Sequence, residues 1–416
     1  MAAETYEKAF AYPIYGLAWS TVECRRLAVS SFRPRGGNEV TVFEVRPAAD
    51  GAQGELKELG RFDHGAAEDD EPSRLPMTPV DLVWSPDPGQ PDVLATAADR
   101  FVHVWDFRKA AKATKERKKW AKAAGSGGGA GLDDAMPCRP EPLASLQASA
   151  PLLSCDWGRG GGGVSSRLAT GATDGAVQVW DMGRGESVGV ANPSSAPWSS
   201  GDLRRGAALH VRWQPDAHVL AACFADGTIA KWDLRAPLGR GHAPVDLIRQ
   251  DAPAGYRQGR QGGASAMATP VVAVEWGAEL PGGGRCDAVT GPLPHRRLVL
   301  LLKDKGGAVV GSDRFDAPFQ RLGGDGAMAN GATAAVCCRG GGARDWVFTA
   351  EGDTAGLYHV ADADGATPQQ EPREYKAGRG TINRVAWGDK KWAGLAFEGK
   401  QPSAGGCLQV VQLGFR

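Results

Sequence analysis

The sequence has little that would mark it as a catalyst or a membrane protein. Its 48 Lys and Arg balance 48 Asp and Glu, so no excess of one sign recruits nucleic acid or an anionic membrane. The longest run of large aliphatic residues, Leu298 to Leu302, is far too short to cross a bilayer. The 8 Cys are scattered, none forms a CxxC pair, and no apolar signal segment stands at the N-terminus. The expectation is a reducing, intracellular chain. No His, Cys and Asp cluster has metal-ligand spacing. Neither GxSxG nor GxxxxGK followed by Ser or Thr occurs, so the glycine runs are not phosphate loops. No catalytic, cofactor-binding or metal residue is assigned.

What the chain has in abundance is glycine, 58 of 416 residues, about twice the usual share. Much of it falls in clusters at 127–129, 160–163, 282–284 and 340–342, which read as loop expansions. Between them a unit recurs. Phe101 to Asp106, Ala176 to Asp181 and Thr228 to Asp233 are short alternating apolar runs that close on Trp-Asp. Each follows an Asp six positions before its Trp (Asp99, Asp174, Asp226), and a second Trp stands about twenty positions earlier (Trp84, Trp157, Trp213). The distance from first to second anchor across seven units is 24, 21, 23, 19, 36, 21 and 24 residues. The outlier, the fifth, carries a Gly- and Pro-rich insert from Pro281 to His295. Chance alternation does not hold such spacing.

These units predict an all-β fold, a single seven-bladed WD-repeat β-propeller. A four-stranded blade has two apolar faces and buries neither alone, whereas blades stacked around an axis cover both. The expected blades span 12–64, 77–147, 150–192, 206–250, 269–322, 332–376 and 380–416 plus 4–11. Only five residues follow Val411, too few for an outer strand in blade seven. Thr5 to Phe10 is therefore expected to supply that strand, close the ring and cover the open edge. Asp-Gly at 174–175 and 226–227 suits tight hairpins in which Gly takes positive φ. Units five and six are degenerate: Cys338 and His359 replace the two anchors of the sixth, and His359 reads as packed core.

Candidate partner contacts follow the repeat. Trp105, Asp106 and Arg108 end one unit, and Trp232, Asp233 and Arg235 end another. In the bland reading Trp is core, Asp caps the turn and Arg is solvated. In the functional reading the Arg fork at a blade rim meets a partner carboxylate or carbonyl. A basic and Gly-rich insertion occupies 109–140 of blade two. Its first part, Lys109 to Ala124, holds seven Lys and Arg against one Glu in an Ala-rich, helix-prone stretch. It reads as a solvated or disordered insertion, or as a nuclear-import signal or contact for an acidic surface through Lys115, Arg117, Lys118 and Lys119. Trp120 is unusual in a purely solvated segment. Glu68 to Glu71 reads as an acidic solvated loop. A propeller enzyme would place acids around the channel, and the starts of the inner strands (Tyr15, Pro79, Pro151, Ala208, Pro270) include no carboxylate.

Leu220 to Arg235 resembles the box by which substrate receptors of cullin-RING ubiquitin ligases engage their adaptor. More broadly, Tyr12 to Ser20, Arg26 to Phe32, Arg61 to His64, Asp92 to Thr96, Ala150 to Trp157, Ile382 to Trp387 and Trp392 to Phe397 follow one another in a familiar order. In this order the chain resembles the TRANSPARENT TESTA GLABRA-type WD-repeat scaffolds of plants. Their animal and fungal relatives are cullin-ligase-associated factors that also bind kinases. The resemblance implies a non-enzymatic scaffold, without cofactor, that gathers transcription factors of bHLH and MYB types, or protein kinases, in cytoplasm and nucleus. The alternatives are a cullin-RING ligase substrate receptor and a structural subunit of a larger assembly. No direct contact with nucleic acid or membrane is implied. The basic insertion, the Gly-rich stretch around 254–266 and the degenerate units five and six depart from the family pattern.

Overall fold

The computed structural model describes residues 5–33, 37–47, 54–64, 78–125, 140–158, 167–191, 206–214, 219–225, 227–235, 246–249, 271–279, 286–287, 291–292, 296–302, 306–311, 320–322, 334–339, 345–351, 353–359, 373–376, 380–387, 392–399 and 405–412. Strand β1 (Thr5–Phe10) comes first. The first sheet is β2 (Ile14–Trp19), β3 (Arg26–Ser31), β4 (Asn38–Arg46) and β5 (Glu55–His64). The second is β6 (Pro79–Trp84), β7 (Val93–Ala98) and β8 (Phe101–Asp106), then helix α1 (Phe107–Gly125), then β9 (Ala144–Gln147). The third is β10 (Leu152–Trp157), β11 (Arg167–Ala172), β12 (Val177–Asp181) and β13 (Glu186–Ala191). The fourth is β14 (Ala208–Trp213), β15 (Val219–Phe224), β16 (Thr228–Asp233) and β17 (Asp246–Arg249).

In the fifth, β18 (Val271–Glu279) pairs with β21 (Arg296–Leu302), followed by β22 (Gly306–Gly311) and β23 (Gln320–Leu322). The insert between β18 and β21 carries its own short ladder, β19 (Cys286–Asp287) with β20 (Gly291–Pro292). The sixth sheet is β24 (Ala334–Arg339), β25 (Asp345–Glu351), β26 (Thr354–His359) and β27 (Arg373–Lys376). The seventh is β28 (Gly380–Trp387), β29 (Trp392–Gly399) and β30 (Gly406–Gln412), with β1 as its outer strand. β1 pairs antiparallel with β30, Thr5 opposite Val411 and Tyr6 opposite Val410. The seven sheets form an all-β propeller. The acidic stretch Glu68 to Glu71 and Asp226 lie outside the described residues.

The first strands of the sheets touch in cyclic order: β2 with β6, then β10, β14, β18, β24, β28 and β2 again. The apolar core is a series of wedges between neighbouring sheets. Trp19, Phe43, Trp392 and Tyr6 fill the wedge between the seventh and first sheets. Trp84, Trp105 and Phe62 fill the next, and Trp213 and Trp232 pack with Val179 further round. Alternation within each strand makes this possible, because two-sided burial needs apolar side chains toward both neighbours.

Polar groups lock the wedges. The buried Thr96 hydroxyl accepts from Trp105 Nε1 at 3.0 Å and lies 2.6 Å from Nε2 of the fully buried His64, on the preceding sheet. Trp180 Nε1 meets Thr170 at 3.2 Å in the same way. Trp84 Nε1 reaches the Ala18 carbonyl across a sheet boundary. Gly175 and Gly227 take φ of 83° and 84°, the left-handed conformation that the Asp-Gly turns require. At the matching turn of the second sheet Asp99 itself takes φ 49°, a conformation that Asp tolerates better than most residues.

Candidate functional site

Helix α1 is the main departure from regular blades. Asp106 caps it: Asp106 Oδ1 accepts from the Lys109 N–H at 3.1 Å, satisfying one of the donors left open at a helix start. Ala, Lys and Arg then favour the helix intrinsically. Phe107, Ala110 and Thr114 are buried at 2%, 3% and 1% exposure. The helix lies against β5 of the neighbouring sheet. The Thr114 hydroxyl accepts from the Asp63 N–H at 3.2 Å, and Lys118 pairs with Asp63 at 3.4 Å. Gly60 suits the contact, since a Cβ there would stand 2.9 Å from Ala111 Cβ. This corrects the expectation of disorder over Lys109 to Ala124: the segment is an ordered helix docked on its neighbour, with a solvated outer face. Residues 126–139 lie outside the described residues.

The outward face of α1 is basic. Lys112, Lys115, Lys119 and Lys122 are exposed and stand at i, i+3, i+7 and i+10, one stripe about 15 Å long. Arg117 is half-buried. Among the described residues no carboxylate lies within ion-pair distance of Lys112, Lys115, Arg117, Lys119 or Lys122. Like charges at Lys115–Lys119 and Lys118–Lys122 each cost a helix about 0.2–0.5 kcal/mol.

The Trp-Asp-x-Arg corners are different. Trp105 and Trp232 are 3% and 0% exposed, and Asp233 is 3% exposed. The expectation that these three face a partner is corrected, because their side chains are spent on the wedges and the turn. Arg235 folds back on Asp233, Nε and Nη2 at 3.0 and 2.7 Å from its carboxylate oxygens. Arg108 Nε pairs with Asp92 at 2.7 Å, and Asp92 also holds Arg26 at 2.7 Å. Arg108 remains largely exposed, while Asp106 serves the helix start. The two corners sit on the second and fourth sheets, so they do not form one site.

The inner strands do carry carboxylates, placed deeper than the strand starts. Asp81 Oδ2 accepts from the Cys155 N–H at 3.0 Å, and Asp156 Oδ2 from the Trp213 N–H at 2.7 Å. His210 Nδ1 stands 3.1 Å from the Val274 carbonyl and 3.3 Å from its N–H. Each ties the inner strand of one sheet to that of the next. Burial raises the Asp156 pKa, partly offset by Arg212. Burial, with Asp81 and Asp156 nearby, holds the Cys155 thiol protonated. Sequence reading missed these residues because isolated charges in an apolar strand carry no periodic signal. Among the described residues no group of three or more His, Cys, Asp or Glu could hold a metal ion.

Burial, then the Arg212 charge, pushes the His210 pKa well below its ordinary value. The fold therefore keeps His210 neutral, whereas the unfolded chain protonates it near pH 6.5. Stability from this group is full above about pH 6.5 and falls with acidification, by up to about 1.4 kcal/mol per pH unit. Urea unfolding at pH 7, 6 and 5 is expected to show a shallower acid decline for His210→Asn than for the parent. Asp156 is common to both chains and drops out of the comparison. Equal slopes would refute this assignment.

The fourth sheet matches a family model: residues 205–233, which hold β14 to β16, match "WD domain, G-beta repeat". No curated protein matches the sequence. Among solved structures the chain is similar to the crystal structure of Chaetomium thermophilum Raptor, with a TM-score of 0.59 and 13% identity. That likeness covers 99% of this chain and 28% of the other, so this chain spans under a third of that protein's length. It shows the fold alone. With 1330 solved chains sharing a likeness, the fold by itself selects no partner. The matched repeat and the shared architecture together support a WD-repeat propeller.

Proposed function

We propose that this chain is a non-enzymatic protein-interaction scaffold. The observation that carries the reading is the lysine stripe on α1, which pairs with no carboxylate among the described residues and is held by Phe107, Ala110 and Thr114 against β5. A row of like charges weakens its own helix, and an acidic partner surface relieves that repulsion. The WD-repeat match supports protein partners in general. The resemblance to TRANSPARENT TESTA GLABRA-type scaffolds suggests bHLH and MYB transcription factors or protein kinases as partners, in cytoplasm and nucleus. The mechanism is presentation: a rigid ring holding two partners raises their effective concentration toward each other without chemistry of its own.

The ligase-receptor reading has less support, because the Arg235 fork is taken up by Asp233. Arg235→Ala tests it directly, since only a receptor loses a co-purifying adaptor. For the scaffold, Lys112→Glu, Lys115→Glu and Lys119→Glu together are expected to abolish co-purification of at least one bHLH, MYB or kinase partner. Thermal stability should change little, because these side chains are exposed and form no ion pair among the described residues. A charge-reversed ring that recovers every partner as well as the parent does would sink the reading.

A further inference from the structure

Register shifts recur at one place in the inner strands. They fall between Ile14 and Gly16, Pro79 and Asp81, Leu152 and Ser154, Ala208 and His210, Val271 and Ala273, and Ile382 and Arg384. Each shift leaves one residue outside the ladder and re-aims its side chain. The residues so released are Tyr15, Val80, Leu153, Leu209, Val272 and Asn383. Because the inner strands lie side by side in cyclic order, these positions gather at one end of the ring.

At this mouth Tyr15 stands apart. It is 39% exposed, and Phe32 beside it is 36% exposed. Their ring centroids are 5.4 Å apart at 30°. The Phe32 N–H donates to the Pro13 carbonyl at 2.9 Å, which fixes the rim. Two large aromatic side chains left in water side by side are unusual for a surface with no partner. The third member is Arg384, whose Cζ lies 5.7 Å from the Tyr15 ring centroid. Its hydrogen bonds are long ones to carbonyls, Asn383 at 3.4 Å and Val80 at 3.5 Å. Among the described residues no carboxylate pairs with it, in contrast to Arg26, Arg61 and Arg108.

We propose that this mouth docks an extended segment of a partner protein in which a carboxylate stands next to an apolar side chain. The carboxylate faces the planar Arg384 fork, which has no anionic counterpart among the described residues. The apolar group covers Tyr15 and Phe32, and such an aromatic–arginine cluster is the usual composition of a binding hot spot. A cationic segment, methylated lysine included, is excluded by the Arg384 charge. The proposal rests on the scaffold reading only in that the ligand is a protein segment, and the patch is separate from α1.

The probe is a synthetic peptide, acetyl-Ser-Asp-Phe-Asp-Leu-Asp-Ser-amide, titrated into the full chain by calorimetry. Saturable binding is expected. Affinity should fall about tenfold or more with Arg384→Gln and with the Tyr15→Ser, Phe32→Ser pair. Each of the latter two rings is about three-fifths covered, so circular dichroism at the titration temperature should show the pair as fully folded as the parent, which guards against a folding artefact. Replacing Asp by Lys, or Phe and Leu by Ala, in the peptide should abolish binding. The proposal is overturned if the parent shows no saturation, if the Lys peptide binds equally, or if the Ser pair binds like the parent. A ring that loses partners on α1 charge reversal yet ignores the peptide overturns this patch alone.

Discussion

A chain lacking residues 1–10 is expected to lose its folded monomer. β1 pairs with β30 over six positions, from Thr5 opposite Val411 to Phe10 opposite Gly406. Its Tyr6 is 9% exposed and lies 5.6 Å from the Trp392 ring, and Phe10 meets Phe43 edge-on at 6.0 Å. The fit is close: Gly405 takes φ 71°, and a Cβ there would overlap the Phe10 carbonyl oxygen. Removing two aromatic anchors and a strand's ladder costs on the order of 5 kcal/mol or more, comparable with the net stability of an ordinary domain. It also bares the β30 edge, a template for association between copies. Size-exclusion chromatography and thermal unfolding should show aggregation or a large drop in midpoint. A peptide of residues 1–12 added in trans should rescue the truncated chain, as a donated strand does, and a scrambled peptide should not. A truncated chain that stays monomeric with an unchanged midpoint would mean that the ring does not depend on this strand.

The second large effect is expected at Asp92→Ala. Asp92 accepts from Arg26 and Arg108, each at 2.7 Å, through its two separate oxygens. The Arg26 side chain is 9% exposed, hydrogen-bonds the Pro91 carbonyl, and lies against the Trp84 and Phe107 rings. The carboxylate thus joins the first sheet, the second sheet and the start of α1. Without it a nearly buried guanidinium loses its counter-charge. Breaking a buried pair from one side costs about 3–5 kcal/mol. Asp92 keeps 26% of its side-chain surface, so the loss expected here is about 2–3 kcal/mol, at or below the bottom of that range. Arg108→Ala should cost under about 1 kcal/mol, because that side chain is 63% exposed and Arg26 keeps Asp92. Urea unfolding of the three chains checks the order, and equal losses for the two variants would refute the role given to Arg26.

Both results bear on function. The surfaces offered to partners are useful only if sheets and helix hold fixed positions. Weakening Asp92 loosens the junction that carries α1, and partner binding at the lysine stripe should weaken with it. The mouth around Tyr15 and Arg384 lies between the seventh, first and second sheets, and the β1 strand supports the first of these junctions.

The number of sheets, their strands and the tight Asp-Gly turns were legible in the chain itself. Alternation and anchor spacing are local properties, and each repeat states them again. The pairing of Thr5 to Phe10 beside Val411 followed from accounting for backbone partners. Contacts between repeats had no such local signature. The docking of α1 on β5 depends on Gly60, Thr114 and Asp63, which lie far apart in the chain. His64 reads as an ordinary residue until Thr96 and Trp105 arrive beside it. The arginines of the two Trp-Asp corners looked available, yet folding turned both onto aspartates, one of them sixteen positions away. Strand and ring were thus written in periodicity, which one dimension can hold. Which charges remained free for a partner was decided only when neighbouring sheets met and consumed the rest.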